Sequence, residues 1–386
     1  MRISSISDYR EAARRKLPPF LFHYIDGGAY AEYTLGRNVS DLSEIALRQR
    51  ILRNVAELSL ETQVLGQTFA MPVALSPVGL TGMYARRGEV QAARAAAAKG
   101  VPFTLSTMSI CSIEDVAEAT QAPFWFQLYV MRDQDFLEAI IERARRANCS
   151  ALVLTLDLQI LGQRHKDLKN GLSAPPRLTL PVLMDMATKW RWGMGMLRTR
   201  RRFFGNIVGH AKGVADPSSL MSWTAEQFDP QLDWTKIARI RDLWGGKLIL
   251  KGINDPEDAR IAADFGADAI IVSNHGGRQL DGAASSIRML PEIVEAVGDR
   301  IEVHLDSGIR SGQDVLKALA MGAHATHIGR AFIYGLGAMG EAGVTRALQI
   351  IRKELDITMA LCGERDIRNV GRHNALVPAE WGHDYV

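Results

Sequence analysis

Cysteine is scarce in this chain of 386 residues: Cys111, Cys149 and Cys362 stand far apart, without the spacing of a metal site or a disulfide framework. Such usage points to a reducing compartment and buried thiols. No stretch reaches the roughly 18 consecutive apolar residues that a membrane-spanning helix needs. The opening segment MRISSISDYREAARRKLPPF lacks an apolar core and does not read as a secretory signal. Excess charge is missing too. A formal net charge of +3 is too small to imply a nucleic-acid partner. Low-complexity segments are absent, and no GxGxxG follows an early strand, which argues against a dinucleotide-binding open sheet.

What is present is a rhythm. Eight short apolar runs recur: MPVALSP (71–77), VPFTLST (101–107), PFWFQLYV (123–130), ALVLTLD (151–157), KLILKG (247–252), AIIVSNHGG (269–277), IEVHLDSG (301–308) and ATHIGR (325–330). They do not alternate apolar with polar, as suits strands of a parallel sheet covered on both faces. Helix-like stretches lie between them at 88–100, 112–120, 135–149, 255–266 and 311–322. Several of these open on Ser or Asp and close on Gly, the expected capping asymmetry. Eight β–α units predict an α/β fold of the (β/α)8 TIM-barrel type, with a doubly wound open sheet as the lesser alternative.

The rhythm breaks once. About 90 residues separate the fourth and fifth runs, against about 20–30 elsewhere. The extra sequence follows a strand's C-terminal end, the face where barrels place active sites, and reads as a lid or docking excursion. The chain is therefore expected to be one domain: an N-terminal helical cap (1–70), strands one to four (71–160), a lid insertion (161–233), then strands five to eight with C-terminal helices (234–386).

Polar side chains cluster at the predicted strand ends, which a barrel brings to one mouth. In order they are Pro77-Val78-Gly79, Ser106, Gln127 and Tyr129, Thr155 and Asp157 with Arg164 beyond, Lys251, Ser273 with His275 and Arg278, Asp306-Ser307-Gly308 with Arg310, and Gly329-Arg330. His275, flanked by glycine and close to Arg278, is the best candidate base. Asp157 is placed to orient and stabilise its charged form. Arg164 and Arg278 suit bidentate binding of a substrate carboxylate. DSGIRSG and IGRAF set backbone amides, helix N-termini and two arginines where barrels bind phosphate. Lys251 supplies a cation in the mouth of the kind that stabilises a reduced flavin. No metal-ligand pattern is evident.

These residues carry a resemblance. FHYIDGGAYAEYTLGRN (22–38), SNHGGRQLDG (273–282), DSGIRSGQDVLKALAMGA and HIGRAF (327–332) resemble the FMN-dependent α-hydroxy acid dehydrogenases and oxidases over essentially the whole chain. LPPFLFHYIDGGAYAEYTL and GMYARRGEVQAA are most similar to the bacterial respiratory, quinone-linked L-lactate dehydrogenases. The resemblance implies FMN as cofactor and oxidation of an (S)-2-hydroxy acid, most simply L-lactate to pyruvate, with electrons leaving to quinone or another acceptor. It implies His275 as base paired with Asp157, and Arg164, Arg278, Tyr24 and Tyr129 around the substrate. It places Ser106, Gln127, Thr155, Lys251 and Ser273 against the isoalloxazine, with Pro77, Val78 and Gly79 approaching through the backbone. Asp306, Ser307, Gly308, Arg310, Gly329 and Arg330 would hold the ribityl phosphate end. Oxidases of the family usually carry alanine where this chain has Gly79, so the glycine resembles the dehydrogenases. Met108 stands where the family varies with substrate side chain. Residues 155–180 resemble mandelate dehydrogenases and cytochrome-linked members, which leaves (S)-mandelate or another 2-hydroxy acid open as substrate. Relatives are often homotetramers.

One composition stands apart. Through Phe204, the stretch KWRWGMGMLRTRRRFFGNIVGHAKG (189–213) interleaves basic with aromatic and apolar residues and contains no acid. It suits peripheral contact with an anionic membrane, here the cytoplasmic face of the inner membrane. The competing reading is a solvated lid whose aromatics pack on the barrel. Two other functions stay open: an FMN barrel doing isomerisation or nucleotide oxidation, which needs no arginine pair, and a non-catalytic scaffold, which needs no base.

Overall fold

The computed structural model of the chain describes residues 2–170, 186, 188–199, 201, 203–212, 214, 223, 227 and 230–381. At its centre are eight parallel strands: β1 (Val73–Leu75), β2 (Thr104–Ser106), β3 (Trp125–Tyr129), β4 (Ala151–Thr155), β5 (Lys247–Ile253), β6 (Ala269–Val272), β7 (Glu302–Leu305) and β8 (Ala325–Ile328). Their hydrogen-bonded order is β1-β8-β7-β6-β5-β4-β3-β2. A parallel bridge between Leu75 and Phe103 joins the two ends and completes the ring. The architecture is the (β/α)8 barrel expected from the run spacing.

The strands read as apolar runs because they are covered twice. Leu105, Phe126, Leu152, Leu154, Leu250, Ile270 and Val303 belong to the core between sheet and helices. Ala74, Trp125, Ala151, Val153, Ile249, Ala269, Ile271 and Ala325 form a second core inside the ring. Val64, Leu65 and Phe69, from a hairpin of Thr62–Val64 and Gln67–Phe69, complete that inner core at the strands' starting ends. The polar signals found by sequence act as helix caps. Ser112 and Asp115 form a capping box, and Asp133, Asp233, Asp255 and Ser311 each accept from an early helix N–H.

Within the run 269–277 only the first four residues are strand: β6 stops at Val272, just before the Ser273 expected at its end. His275, Gly276 and Gly277 have φ of 58°, 68° and 71°. Three left-handed residues in succession cannot continue an extended strand. The segment before β1 is also not wholly helical. After α1 (Ile6–Lys16), α2 (Pro19–Asp26) and α3 (Tyr33–Glu44) comes Ala46–Leu47, which pairs antiparallel with Ala375–Leu376, and then the hairpin.

α2 and α3 clasp the loop after β6. Ala29 N–H donates to Gly277 O at 2.8 Å. Asn38 and Asn274 exchange side-chain amide bonds at 2.8 and 2.7 Å. Thr34 N–H donates to Asp281 at 2.9 Å, and Ser285 donates to Asp41.

The excursion between β4 and β5 begins with the helix His165–Lys169, includes the helix Trp190–Leu197 and ends at the helix Trp234–Trp244. Positions 171–185 fall outside the described residues, as do 200, 202 and 213 of the basic-aromatic stretch. Trp192 is buried, donates to Met83 O at 2.7 Å and meets Phe20 edge-on. Trp190, Met194, Leu197 and Phe203 are exposed. The stretch thus divides, with one tryptophan packed on the barrel and several apolar side chains facing outward. No helix among the described residues is long and apolar enough to cross a membrane.

Candidate active site

Register builds the mouth. Tyr129 of β3 pairs with Thr155 of β4, which pairs with Lys251 of β5, so three polar residues stand in one row at the strand ends. Above them opens a cavity of about 280 Å³. Tyr24, Pro77, Val78, Gly79, Tyr129, Thr155, Arg164, Lys251, His275, Arg278, Asp306, Ser307, Gly308, Arg310, Gly329 and Arg330 line it. Four other candidates stand behind the wall. Asp157 bonds His275, Ser273 bonds Lys251, and Ser106 donates to Gln127 Oε1 at 3.0 Å.

His275 follows the end of β6 on its left-handed turn, with its N–H on Ser273 Oγ at 3.1 Å. Its Nδ1 lies 2.9 Å from Asp157 Oδ1. Burial lowers the imidazole from its ordinary value; Asp157 opposes that shift, and Lys251 and Arg278 add to it. The ring is thus neutral near pH 7. An ionised Asp157 accepts from Nδ1–H, which leaves the Nε2 lone pair free to take a proton. Burial pushes the Asp157 carboxyl up, yet His275 and Lys251 outweigh it and the carboxyl sits below its usual range.

Lys251 is almost fully buried. Its Nζ donates to Ser273 Oγ at 2.8 Å and lies 3.2 Å from Asp306 Oδ2. Burial lowers its pKa, but Asp306 and Asp157 outweigh that and hold it above the ordinary lysine value. A fixed cation therefore stands in the cavity wall.

The guanidinium groups of Arg278 and Arg164 lie 4.7 and 5.4 Å from the centroid of the Tyr24 ring. Arg278 Nη1 is held by the carbonyls of Tyr24 and Gly27. Arg164 Nε pairs with Asp167 at 3.0 Å. Burial, then the nearby Arg164, lowers Arg278; it remains a cation. Two positive charges and one carboxylate share this corner, and the surplus charge suits an anionic ligand. Burial keeps the Tyr129 hydroxyl protonated as a donor.

At the other end, Ser307 has φ 73° and Gly308 φ 103°. A Cβ on Gly308 would stand 2.0 Å from Asn38 O, so glycine is obligatory there. Gly329 caps the helix Arg330–Met339, which starts at the cavity lining. Arg330 donates to Ile25 O and Gly27 O at 2.7 and 2.8 Å. Burial, with Arg310 beside it, brings Arg330 down to about 9, still cationic at neutral pH.

Four buried polar atoms here have no protein partner: Gln127 Nε2, Thr155 Oγ1, Asp157 Oδ2 and His327 Nδ1. Buried groups of this kind are nearly always bonded to something. They indicate a polar ligand reaching the barrel floor.

Sequence reasoning passed over several residues. Asp167 gave a signal in its i,i+3 spacing from Arg164. Gln279 lines the cavity and ties down the loop after β4. Its Nε2 donates to Asp157 O at 2.7 Å and Ile160 O at 2.8 Å, while its Oε1 accepts from Gly162 N–H at 3.0 Å. Leu158, Leu161 and Phe204 form an apolar wall with Met108. No local pattern marks these positions, because only the closed loops bring them to the mouth.

Known proteins resemble this chain in sequence and fold. A family model described as FMN-dependent dehydrogenase matches residues 13–377. The L-lactate dehydrogenase of Pseudomonas aeruginosa is 54% identical over 373 residues, 96% of this chain and 97% of that protein. The enzyme of the same name from Stenotrophomonas maltophilia is 54% identical over 378 residues, 97% and 99% of the two chains. Among solved structures, the monotopic membrane protein (S)-mandelate dehydrogenase superposes with a TM-score of 0.93 at 34% identity, covering 98% of this chain and 100% of that one. A mandelate oxidase gives 0.82 at 36% identity over 97% and 99% of the chains. The chain belongs to the FMN-dependent dehydrogenase family.

Proposed function

We propose that this enzyme oxidises L-lactate to pyruvate with FMN as cofactor. The observation that carries the reading is one cavity lined by an aspartate-paired imidazole and two guanidinium groups. The identity to L-lactate dehydrogenases, well above that to the mandelate enzymes, favours the small substrate.

FMN fits the cavity. The unpartnered Gln127 Nε2 and Thr155 Oγ1 suit the polar edge of a flavin ring. Lys251 completes that wall, with Ser106 and Ser273 behind it, and Pro77, Val78 and Gly79 supply a backbone face. Asp306, Ser307, Gly308, Arg310, Gly329 and Arg330 form the end that would hold the ribityl phosphate. When bound, FMN supplies a two-electron acceptor. The chain does the rest. Arg278 and Arg164 bind the substrate carboxylate, and the Tyr24 and Tyr129 hydroxyls add hydrogen bonds. His275 Nε2 takes the proton released as the hydroxyl carbon is oxidised. Asp157 stabilises the resulting imidazolium and fixes its orientation. Lys251 contributes positive charge that favours an electron-rich cofactor. The test is anaerobic flavin bleaching by L-lactate, D-lactate, glycolate and L-mandelate in the wild type and in His275→Ala. Bleaching by L-lactate, lost in the variant, is expected; undiminished bleaching in the variant refutes His275 as base.

Quinone is proposed as the electron acceptor, met at the cytoplasmic face of the inner membrane. Support comes from the exposed Trp190, Leu197 and Phe203 on a basic, acid-free stretch, and from a structural relative described as monotopic. Changing these three residues to serine should move the protein from the membrane fraction to the soluble one. A homotetramer, the assembly implied by the family resemblance, is checked by light scattering.

A further inference from the structure

A chain of ionisable groups runs through the barrel interior and plays no part in the scheme above. Glu302 opens β7, and its Oε1 accepts from Leu65 N–H at 2.8 Å. Its Oε2 lies 3.1 Å from His304 Nε2. His304 Nδ1 in turn lies 3.1 Å from His327 Nε2. Both rings are buried and pack against Trp125. His327 also lines the cavity at the mouth, and its remaining nitrogen, Nδ1, is the unpartnered one. The chain thus links the hairpin end of the barrel to the proposed cofactor site.

Its polarity is set at one end. Burial raises the Glu302 carboxyl, but His304 outweighs it and keeps it below its usual range. A carboxylate only accepts, so His304 Nε2 carries the proton that faces it. His304 has no exposed side-chain surface, and the single proton on Nε2 satisfies the carboxylate it faces. With one proton, His304 Nδ1 is an acceptor and His327 Nε2 donates to it. His327 Nδ1 is then a bare lone pair. Burial, with the Lys251 cation nearby, holds His327 well below its ordinary value, so the ring stays neutral.

We propose that Glu302, acting through His304, fixes the tautomer of His327 so that Nδ1 accepts a hydrogen bond from a donor group of bound FMN. His327 is then a cofactor-binding residue, and Glu302 a positioning residue that touches no cofactor atom. The inference rests on FMN occupying this cavity.

Glu302→Gln is the sharpest test. With Leu65 N–H keeping the amide oxygen, the amide NH2 faces His304 and donates. Both imidazoles must then reverse, and His327 presents N–H to the cavity. FMN release from the holoenzyme is followed by flavin fluorescence, and the ring nitrogens by 15N-histidine NMR. Expected is release roughly tenfold faster in His327→Leu, the scale of one lost buried hydrogen bond. Glu302→Gln should match it while moving the His327 proton from Nε2 to Nδ1. His304→Leu, which breaks the link, should also speed release if Glu302→Gln folds poorly. Wild-type FMN retention in His327→Leu overturns the proposal, as does a His327 Nδ1 proton or a doubly protonated His304 in the wild type. Lys251→Met separates the two layers. Should it also leave FMN retention unchanged, the placement of FMN in this cavity fails, and the tautomer assignment loses its ligand.

Discussion

Gln279→Leu removes a strut while leaving the side chains of the proposed acid–base pair unchanged. Leucine keeps the size and loses all three hydrogen bonds that Gln279 makes to Asp157 O, Ile160 O and Gly162 N–H. Each is worth about 0.5–1.5 kcal/mol net, and the bond to Ile160 lies toward solvent, so about 2 kcal/mol of loop order is at stake. Leu156 N–H still bonds Lys251 O at 2.9 Å, so β4 stays in register and the loosening begins at Asp157. A loss of that size lowers the population of the ordered loop by up to roughly thirty-fold. Flavin bleaching by L-lactate should slow by a similar factor. KM should rise, because Arg164 rides on the same loop. Asp157 raises the His275 pKa, so its looser hold should also move the acid limb of the rate profile to lower pH. Stopped-flow bleaching across pH reads all three. Wild-type rates with an unmoved acid limb would refute the strut. Gly162→Ala offers a second route to the same loop, since a Cβ there would stand 2.6 Å from Arg278 O.

Other outcomes follow from the same geometry. Asp157→Asn should slow bleaching by about 10²–10⁴ and shift the acid limb to lower pH, because the charge that raises His275 is gone. In the wild type, kcat/KM should hold at pH values below the ordinary histidine value of 6.5, since His275 must stay neutral to act and burial lowers its pKa. Thermal stability should fall as pH drops below 6.5: His275, His324 and His327 all have lowered folded-state values, so the unfolded chain binds the extra protons. Melting curves on either side of that pH check the sign. Gly79→Ala should fold normally, because the new Cβ meets Met108 Cβ at 3.4 Å and Tyr24 Oη at 3.9 Å. Its ratio of peroxide formation to artificial-acceptor turnover should rise, measured by paired assays.

The barrel was legible because parallel strands buried on both faces leave uninterrupted apolar runs, and because Ser and Asp caps mark where helices restart. The base, its carboxylate and the arginines were legible for a related reason: side chains at strand ends have one place to go. What escaped notice depends on closure in three dimensions. Gln279 and Asp157 are 122 positions apart, and nothing in either segment announces the bond. Glu302, His304 and His327 looked like ordinary members of two strands until the ring stacked β7 beside β8. The end of β6 near Ser273 was legible from the glycines beyond it, but the left-handed backbone of His275 was not, because a histidine gives no warning of that conformation.

The clasp between α2–α3 and the loop after β6 also bears on how the enzyme comes into being. Asn38 and Asn274 are 236 positions apart, and Thr34 and Asp281 are 247. During synthesis the first helices must wait, unsatisfied, until all of β1 to β6 have emerged, and joining such distant segments is slow. Catalytic competence therefore arrives late in biogenesis, and a nascent chain halted before Asp281 carries Tyr24 but no pocket for it to face.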